Sequence, residues 1–231
     1  MLVSPSASTD AKAAVARLEA AYRQARTLQA TFLQRYTENG RIVRVEAGTV
    51  YFRRPGKMRW QYESPEKNIF LVDGKFAWFY VPADHTVTRI PAKKSSDWRT
   101  PLALLANEMK ISRLCASVEL ATAWKPENRD ATALHCVPRG SVADQTSAAG
   151  SHSAGDEAAG VGDDVFFEVA DDTGDLLRVV IRQSGGVSVE FQFKDWRRDF
   201  PVADSFFRFD VPVGVVIENG ELPGVRTPKT E

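Results

Sequence analysis

Residues 48–81, GTVYFRRPGKMRWQYESPEKNIFLVDGKFAWFYV, constrain the fold more than any other part of the chain. In GTVYFRR, Val50, Phe52 and Arg54 fall in one phase, and Thr49, Tyr51 and Arg53 in the other. In MRWQYE, Met58, Trp60 and Tyr62 alternate with Arg59, Gln61 and Glu63. A period of two is the mark of strands with one face turned from water. Pro55-Gly56 and Ser64-Pro65 break the run, and Asp73-Gly74 is a strong hairpin dipeptide. Both faces of FAWFYV are apolar, so one is expected on a core and the other under a lid or neighbour. Arg54 stands in phase with the apolar face, where an arginine is costly without a partner.

The rest of the chain extends this pattern. A helix is expected from Asp10, capped by Ser8 or Thr9, with Val15, Leu18, Tyr22 and Ala25 as its apolar stripe. At Leu28 the period changes, and Leu28, Ala30, Phe32, Gln34 and Tyr36 share one side of a strand. Thr100, Pro101 and LALLANEMK read as a capped short helix. Weaker strands are expected between Ile111 and Val137. Residues 139–164 are rich in Gly, Ala, Ser and Asp and are read as a disordered insertion. VFFEVA, LLRVVIR and VSVEFQFK are strands, and FFRFDVPVGVVIENG ends in one more strand and an extended tail. With no second core in sight, residues 1–231 are expected to form a single domain. The class is mainly β with α: about ten to eleven strands in a curved antiparallel sheet whose concave face helices cover.

The 30 basic and 30 acidic residues cancel, which argues against a nucleic-acid partner held by phosphate neutralisation. The local cluster Arg53, Arg54, Lys57 and Arg59 is read as a solvated strand face. No run approaches the ~20 apolar residues of a membrane span. MLVSPSASTDAK has neither the charged nor the apolar region of a signal peptide, so the sequence suits a cytosolic protein or a mature exported form. SPSAS leans toward the second. Cys115 and Cys136 permit one disulfide and fit buried thiols equally well.

No metal spacing, phosphate loop or nucleophile elbow appears. His85 and His135 sit in strand-like contexts and His152 in the insertion. Neighbours on a strand point to opposite faces, so His135 cannot serve Cys136 as a base. No enzyme, metal or cofactor is expected. What remains is an apolar concavity, either a core filled by the helices or a container for something greasy.

The ordered segments LQATFLQRY, GTVYFRRPGKMRWQYESP, IFLVDGKFAWFYVP, TPLALLAN and FRFDVPVGVVI closely resemble the outer-membrane lipoprotein carrier family, LolA. The likeness runs from about Thr27 to Ile217, excluding the insertion, and is sharpest at Arg54-Pro55 with Trp60 and Pro65, and at Asp73-Gly74-Lys75 with Trp78 to Tyr80. It implies an incomplete, half-open antiparallel β-barrel closed by a helical lid. It also implies a periplasmic chaperone, expected to be a monomer, that binds the acyl chains of triacylated lipoproteins. Such a carrier takes them from an inner-membrane lipoprotein-releasing ABC transporter to an outer-membrane lipoprotein acceptor. Phe32, Val50, Phe52, Met58, Trp60, Tyr62, Trp78 and Tyr80 are then the expected cavity wall. Leu102, Leu104 and Leu105 are the expected lid. Arg54 becomes a gate that bonds lid carbonyls, against the alternative of an arginine turned out to solvent beside Pro55. The same scaffold would also suit an outer-membrane acceptor, a lipoprotein-sensing regulator or a carrier of another lipid. The insertion, the paired cysteines and Met58 depart from the family pattern.

Overall fold

The computed structural model describes residues 7–92, 102, 105–139, 164–183 and 185–219. Helix α1 (Ala7–Arg23) starts earlier than its expected cap. It is followed by β1 (Thr27–Glu38), β2 (Arg41–Arg53), β3 (Lys57–Ser64), β4 (Ile69–Val72), β5 (Phe76–Val81) and β6 (Thr86–Pro91). A four-residue helix α2 (Ile111–Leu114) takes the place of the strand expected at Ile111. Next come β7 (Cys115–Leu120), β8 (Ala131–Pro138), β9 (Asp164–Ala170), β10 (Leu176–Gln183), β11 (Val187–Arg198) and β12 (Val216–Asn219).

The twelve strands form one open sheet in the order β12-β6-β5-β4-β3-β2-β1-β11-β10-β9-β8-β7, so β12 and β7 are its two ends. The described residues thus hold twelve strands, against the about ten to eleven expected. The last strand also breaks the antiparallel rule, since β12 pairs parallel to β6, Val216 opposite Thr86 and Asn219 opposite Arg89. Contacts gather into two compact units. One comprises Met1–Gln24, Gln34–Arg44 and Met109–Phe193, and the other Ala25–Leu33, Val45–Glu108 and Lys194–Glu231.

In the first unit, α1 buries Ala11, Ala14, Leu18 and Tyr22, while Val15 lies off that stripe. The Tyr22 hydroxyl accepts the buried amide of Leu176 at 2.8 Å, so an aromatic in the stripe also satisfies a strand end. Cys115 and Cys136 are joined, fastening the end strand β7 to β8. Opposite Cys136 in phase, His135 stacks on Phe166 and contacts Glu119 and Asp164. The same side of the sheet carries a charged network. Arg178 donates to Glu168 at 2.8 Å and to Glu190 at 2.7 Å, and the indole of Trp124 donates to Glu168 at 3.0 Å. Burial works against the Arg178 charge, but its bonds to the two carboxylates outweigh this and raise its pKa.

The expected insertion narrows at both ends: Arg139 donates to the carbonyls of Leu114 and Ser112, and Asp164 already belongs to β9. Residues 140–163, His152 among them, lie outside the described residues.

Candidate functional site

The second unit holds the residues expected to form a site. Register fixes which side chains share a face. Val50 pairs with Trp60, Trp60 with Phe70, and Phe70 with Phe79. Phe52 pairs with Met58, Met58 with Val72, and Val72 with Ala77. This front face is rich in aromatics and closed to water: Val50, Phe52 and Trp60 are fully buried, and Tyr62, Phe70 and Phe79 nearly so. Phe32 of β1 meets Trp60 edge-on at 4.8 Å and Tyr62 at 5.2 Å. Strands two apart in a sheet are about 9.6 Å apart, so these rings lean together over β2. Gly48 of β2 lets the β3 backbone come close, since a Cβ there would stand 1.9 Å from the Gln61 carbonyl oxygen.

Trp78 and Tyr80 are not on this wall. Pairing carries Trp78 opposite Leu71 and Tyr80 opposite Ile69, in the other phase. On that back face Trp78 stacks on Phe209 at 5.4 Å, Tyr80 tilts against the same ring at 5.5 Å, and Arg89 lies over Trp78. The Asp73 carboxylate fixes the indole. Its Oδ1 caps the turn by accepting the Lys75 and Phe76 amides, and its Oδ2 accepts Trp78 Nε1 at 2.9 Å.

The back face is covered by the chain's return from β11. Arg53 donates to the Val202 carbonyl at 2.7 Å and pairs with Asp204 at 2.9 Å. Arg59 donates to the Phe206 carbonyl at 2.9 Å and lies over its ring, while Tyr51 meets Phe206 edge-on at 4.9 Å. The arginines read from sequence as a solvated face therefore hold down residues 200–209.

At the front-face end of the β2–β3 turn, Arg54 Nε donates to the Leu105 carbonyl at 3.5 Å. That is the outer limit of a hydrogen bond. The shorter contact is one that side-chain patterns do not reveal: the Gly56 amide donates to the Ala106 carbonyl at 2.7 Å. Gly56 has φ +68°, the left-handed region that a glycine enters without steric cost. Leu102, Leu105 and Ala106 are fully buried, and the Leu105 amide closes a tight turn on the Leu102 carbonyl at 3.0 Å. Residues 105–108 form a turn, where a helix was expected. Thr100, Pro101 and Leu104 lie outside the described residues. Burial lowers the basicity of Arg54, and the charge of Asp199 works the other way.

Among the described residues, a groove of about 330 Å³ lies in the first unit, between α1 and β7. None of its lining residues belongs to the expected wall. No cluster of three His, Cys, Asp or Glu suited to a metal occurs among the described residues.

The family model for the outer membrane lipoprotein carrier protein LolA matches residues 23–141, just over half of the 231-residue chain. The chain belongs to the LolA family. An outer-membrane lipoprotein carrier protein of Nitrosospira multiformis is 34% identical over 109 residues, 46% of this chain and 51% of the relative. One from Nitrosomonas europaea is 39% identical over 103 residues, 43% of this chain and 48% of its own length. This LolA-family chain thus spans about half the length of the curated relatives it matches. The matched region holds β1 to β6 and the turn at Gly56. An uncharacterized conserved protein from Thermus thermophilus shares the fold, with TM-score 0.53, 13% identity, and coverage of 90% of this chain and 98% of its own.

Proposed function

We propose that this chain is a periplasmic lipoprotein chaperone whose acyl cargo lies against the front face formed by Phe32, Val50, Phe52, Met58, Trp60 and Tyr62. Phe70 and Phe79 extend that wall. Leu102, Leu104 and Leu105 form its cover, and the Arg54-Pro55-Gly56 turn is the latch. The observation that carries the reading is a dry, aromatic-rich face ending at two donors aimed at consecutive carbonyls of a separate buried segment. Residues 105–108 of the cover form a turn, and the carbonyls of Leu105 and Ala106 accept bonds from the β2–β3 turn.

The energetics favour a latch. Burying acyl chains is worth about 0.8 kcal/mol per methylene, so a permanently open face would hold cargo too tightly to release. Closing the face with a few hydrogen bonds of about 1 kcal/mol each gives the empty state a competing stability. Loading breaks those bonds, and release restores them. Transfer then needs only a modest difference in affinity between donor and acceptor. The donor is an inner-membrane lipoprotein-releasing ABC transporter and the acceptor an outer-membrane lipoprotein receptor, each met by a single copy of the carrier. The disulfide between Cys115 and Cys136 supports residence in an oxidising compartment such as the periplasm.

Native mass spectrometry of the protein exported to a Gram-negative periplasm tests this, with Arg54→Leu run beside the unaltered chain. A triacylated lipoprotein should be bound to both, in greater occupancy on the variant, and lost in detergent. Phospholipid alone on both proteins would contradict the lipoprotein reading and point to a carrier of another lipid.

A further inference from the structure

Beside Tyr62, the front face ends in a buried polar residue. Register sets Trp60 opposite Phe70 and Gln61 opposite Ile69. One step further the Tyr62 amide donates to the Asn68 carbonyl at 2.9 Å, which continues the same ladder. Asn68 stands two residues before Phe70, in its phase, so it shares the front face with Tyr62, Trp60 and Phe70. It is 3% exposed.

Most of the polar groups of Asn68 are accounted for. Its amide donates to the Glu66 carbonyl at 3.1 Å, its carbonyl accepts Tyr62, and its Nδ2 donates to Glu66 Oε2 at 3.4 Å. The Oδ1 atom is left over. Among the described residues it is the one buried side-chain oxygen without a hydrogen-bond partner. Glu66 fixes which end of the side chain this is, since turning the amide would set its oxygen against a carboxylate. A buried acceptor without a donor costs the desolvation of that group, and protein interiors hold few. An apolar residue of similar size would fill the place without that cost.

Resting on the carrier reading, we propose that Asn68 Oδ1 accepts the amide N–H that links the N-terminal acyl chain of a triacylated lipoprotein to its first residue, and so selects N-acylated cargo. Such a cargo presents one secondary amide where its chains meet the polypeptide, and the ester links of its other two chains have no N–H to donate. That N–H is as costly to bury unpaired as the Asn68 oxygen, and each satisfies the other. A free α-ammonium in its place would bring a charge onto a dry aromatic face, which is costlier still. An amide held at Asn68 directs its acyl chain along Tyr62 toward Trp60 and Phe70.

The test uses two synthetic triacylated lipopeptides that differ only at this nitrogen, one carrying N–H and the other N-methyl. Their equilibrium binding is measured on the unaltered chain, on Asn68→Leu and on Asn68→Ala. The unaltered chain should bind the N–H form about tenfold more tightly, and both variants should bind the two forms alike. Asn68→Leu should melt no lower than the unaltered chain, because it buries no orphaned acceptor. Equal binding of the two lipopeptides by the unaltered chain would overturn the proposal and leave the carrier reading standing. A preference for N–H that survives in both variants would overturn it too. If the unaltered chain binds neither lipopeptide, the carrier reading itself fails and this assignment falls with it.

Discussion

At the level of single residues, Arg54 and Gly56 divide the latch unequally. The Gly56 amide reaches the Ala106 carbonyl at 2.7 Å, closer than Arg54 Nε stands to the Leu105 carbonyl at 3.5 Å. Arg54→Leu should therefore raise Gly56 amide exchange and lipopeptide affinity about fivefold, the equivalent of one hydrogen bond of roughly 1 kcal/mol. Gly56→Ala should open the latch further, since a Cβ at φ +68° adds about 1–2 kcal/mol of strain to the turn that carries the shorter bond. Equal exchange in the two variants would show that the arginine does more than its geometry indicates. Arg54 was legible in the sequence, because a cation in an apolar phase stands out in any alternation. Gly56 was not, since its contribution is a backbone N–H that leaves no trace in side-chain chemistry.

Among the elements, β3 and β5 show how far periodicity reaches. Met58, Trp60 and Tyr62 alternate with polar residues, so their common face was legible, and the structure buries all three. In β5 both phases are apolar, and the phase that joins the Trp60 face is decided by pairing with β4, itself apolar on both sides. That ambiguity grouped Trp78 and Tyr80 with Trp60, whereas pairing puts them on the opposite face. Asp73, three positions from Phe76 and five from Trp78, was the available clue, since one carboxylate can cap the turn and hold an indole only on one side. The back-face role of Trp78 predicts that Phe209→Ala, at a half-buried ring, destabilises the fold by about 1–3 kcal/mol, read as a lower Tm. Lipopeptide affinity should be unchanged where the variant is folded. Weakened binding by folded Phe209→Ala would place cargo on the back face. At the far end of the sheet, removing both cysteines (Cys115→Ser with Cys136→Ser) should cost about 3 kcal/mol by the loop-closure estimate. Faster amide exchange should then appear first in β7. An unchanged denaturation midpoint would mean that the α1 packing alone secures that edge.

Across the whole molecule, one open sheet carries two compact units built from interleaved segments. The presence of most strands followed from turn dipeptides and alternation. The parallel strand β12 did not, because its four residues are all exposed and its place depends on the chain crossing the back face first. That crossing matters to the functional account: residues 200–209 lie on the back face, and the proposed cargo face is the other one.

Trp60 and Trp78 therefore report on opposite faces of the same few strands. The most direct measurement is fluorescence quenching in two variants that retain only Trp60 or only Trp78, titrated with a triacylated lipopeptide brominated along its acyl chains. Quenching of Trp60 with Trp78 spared is the predicted result. Quenching of Trp78 alone, or of neither while the lipopeptide is bound, would contradict a front-face cavity.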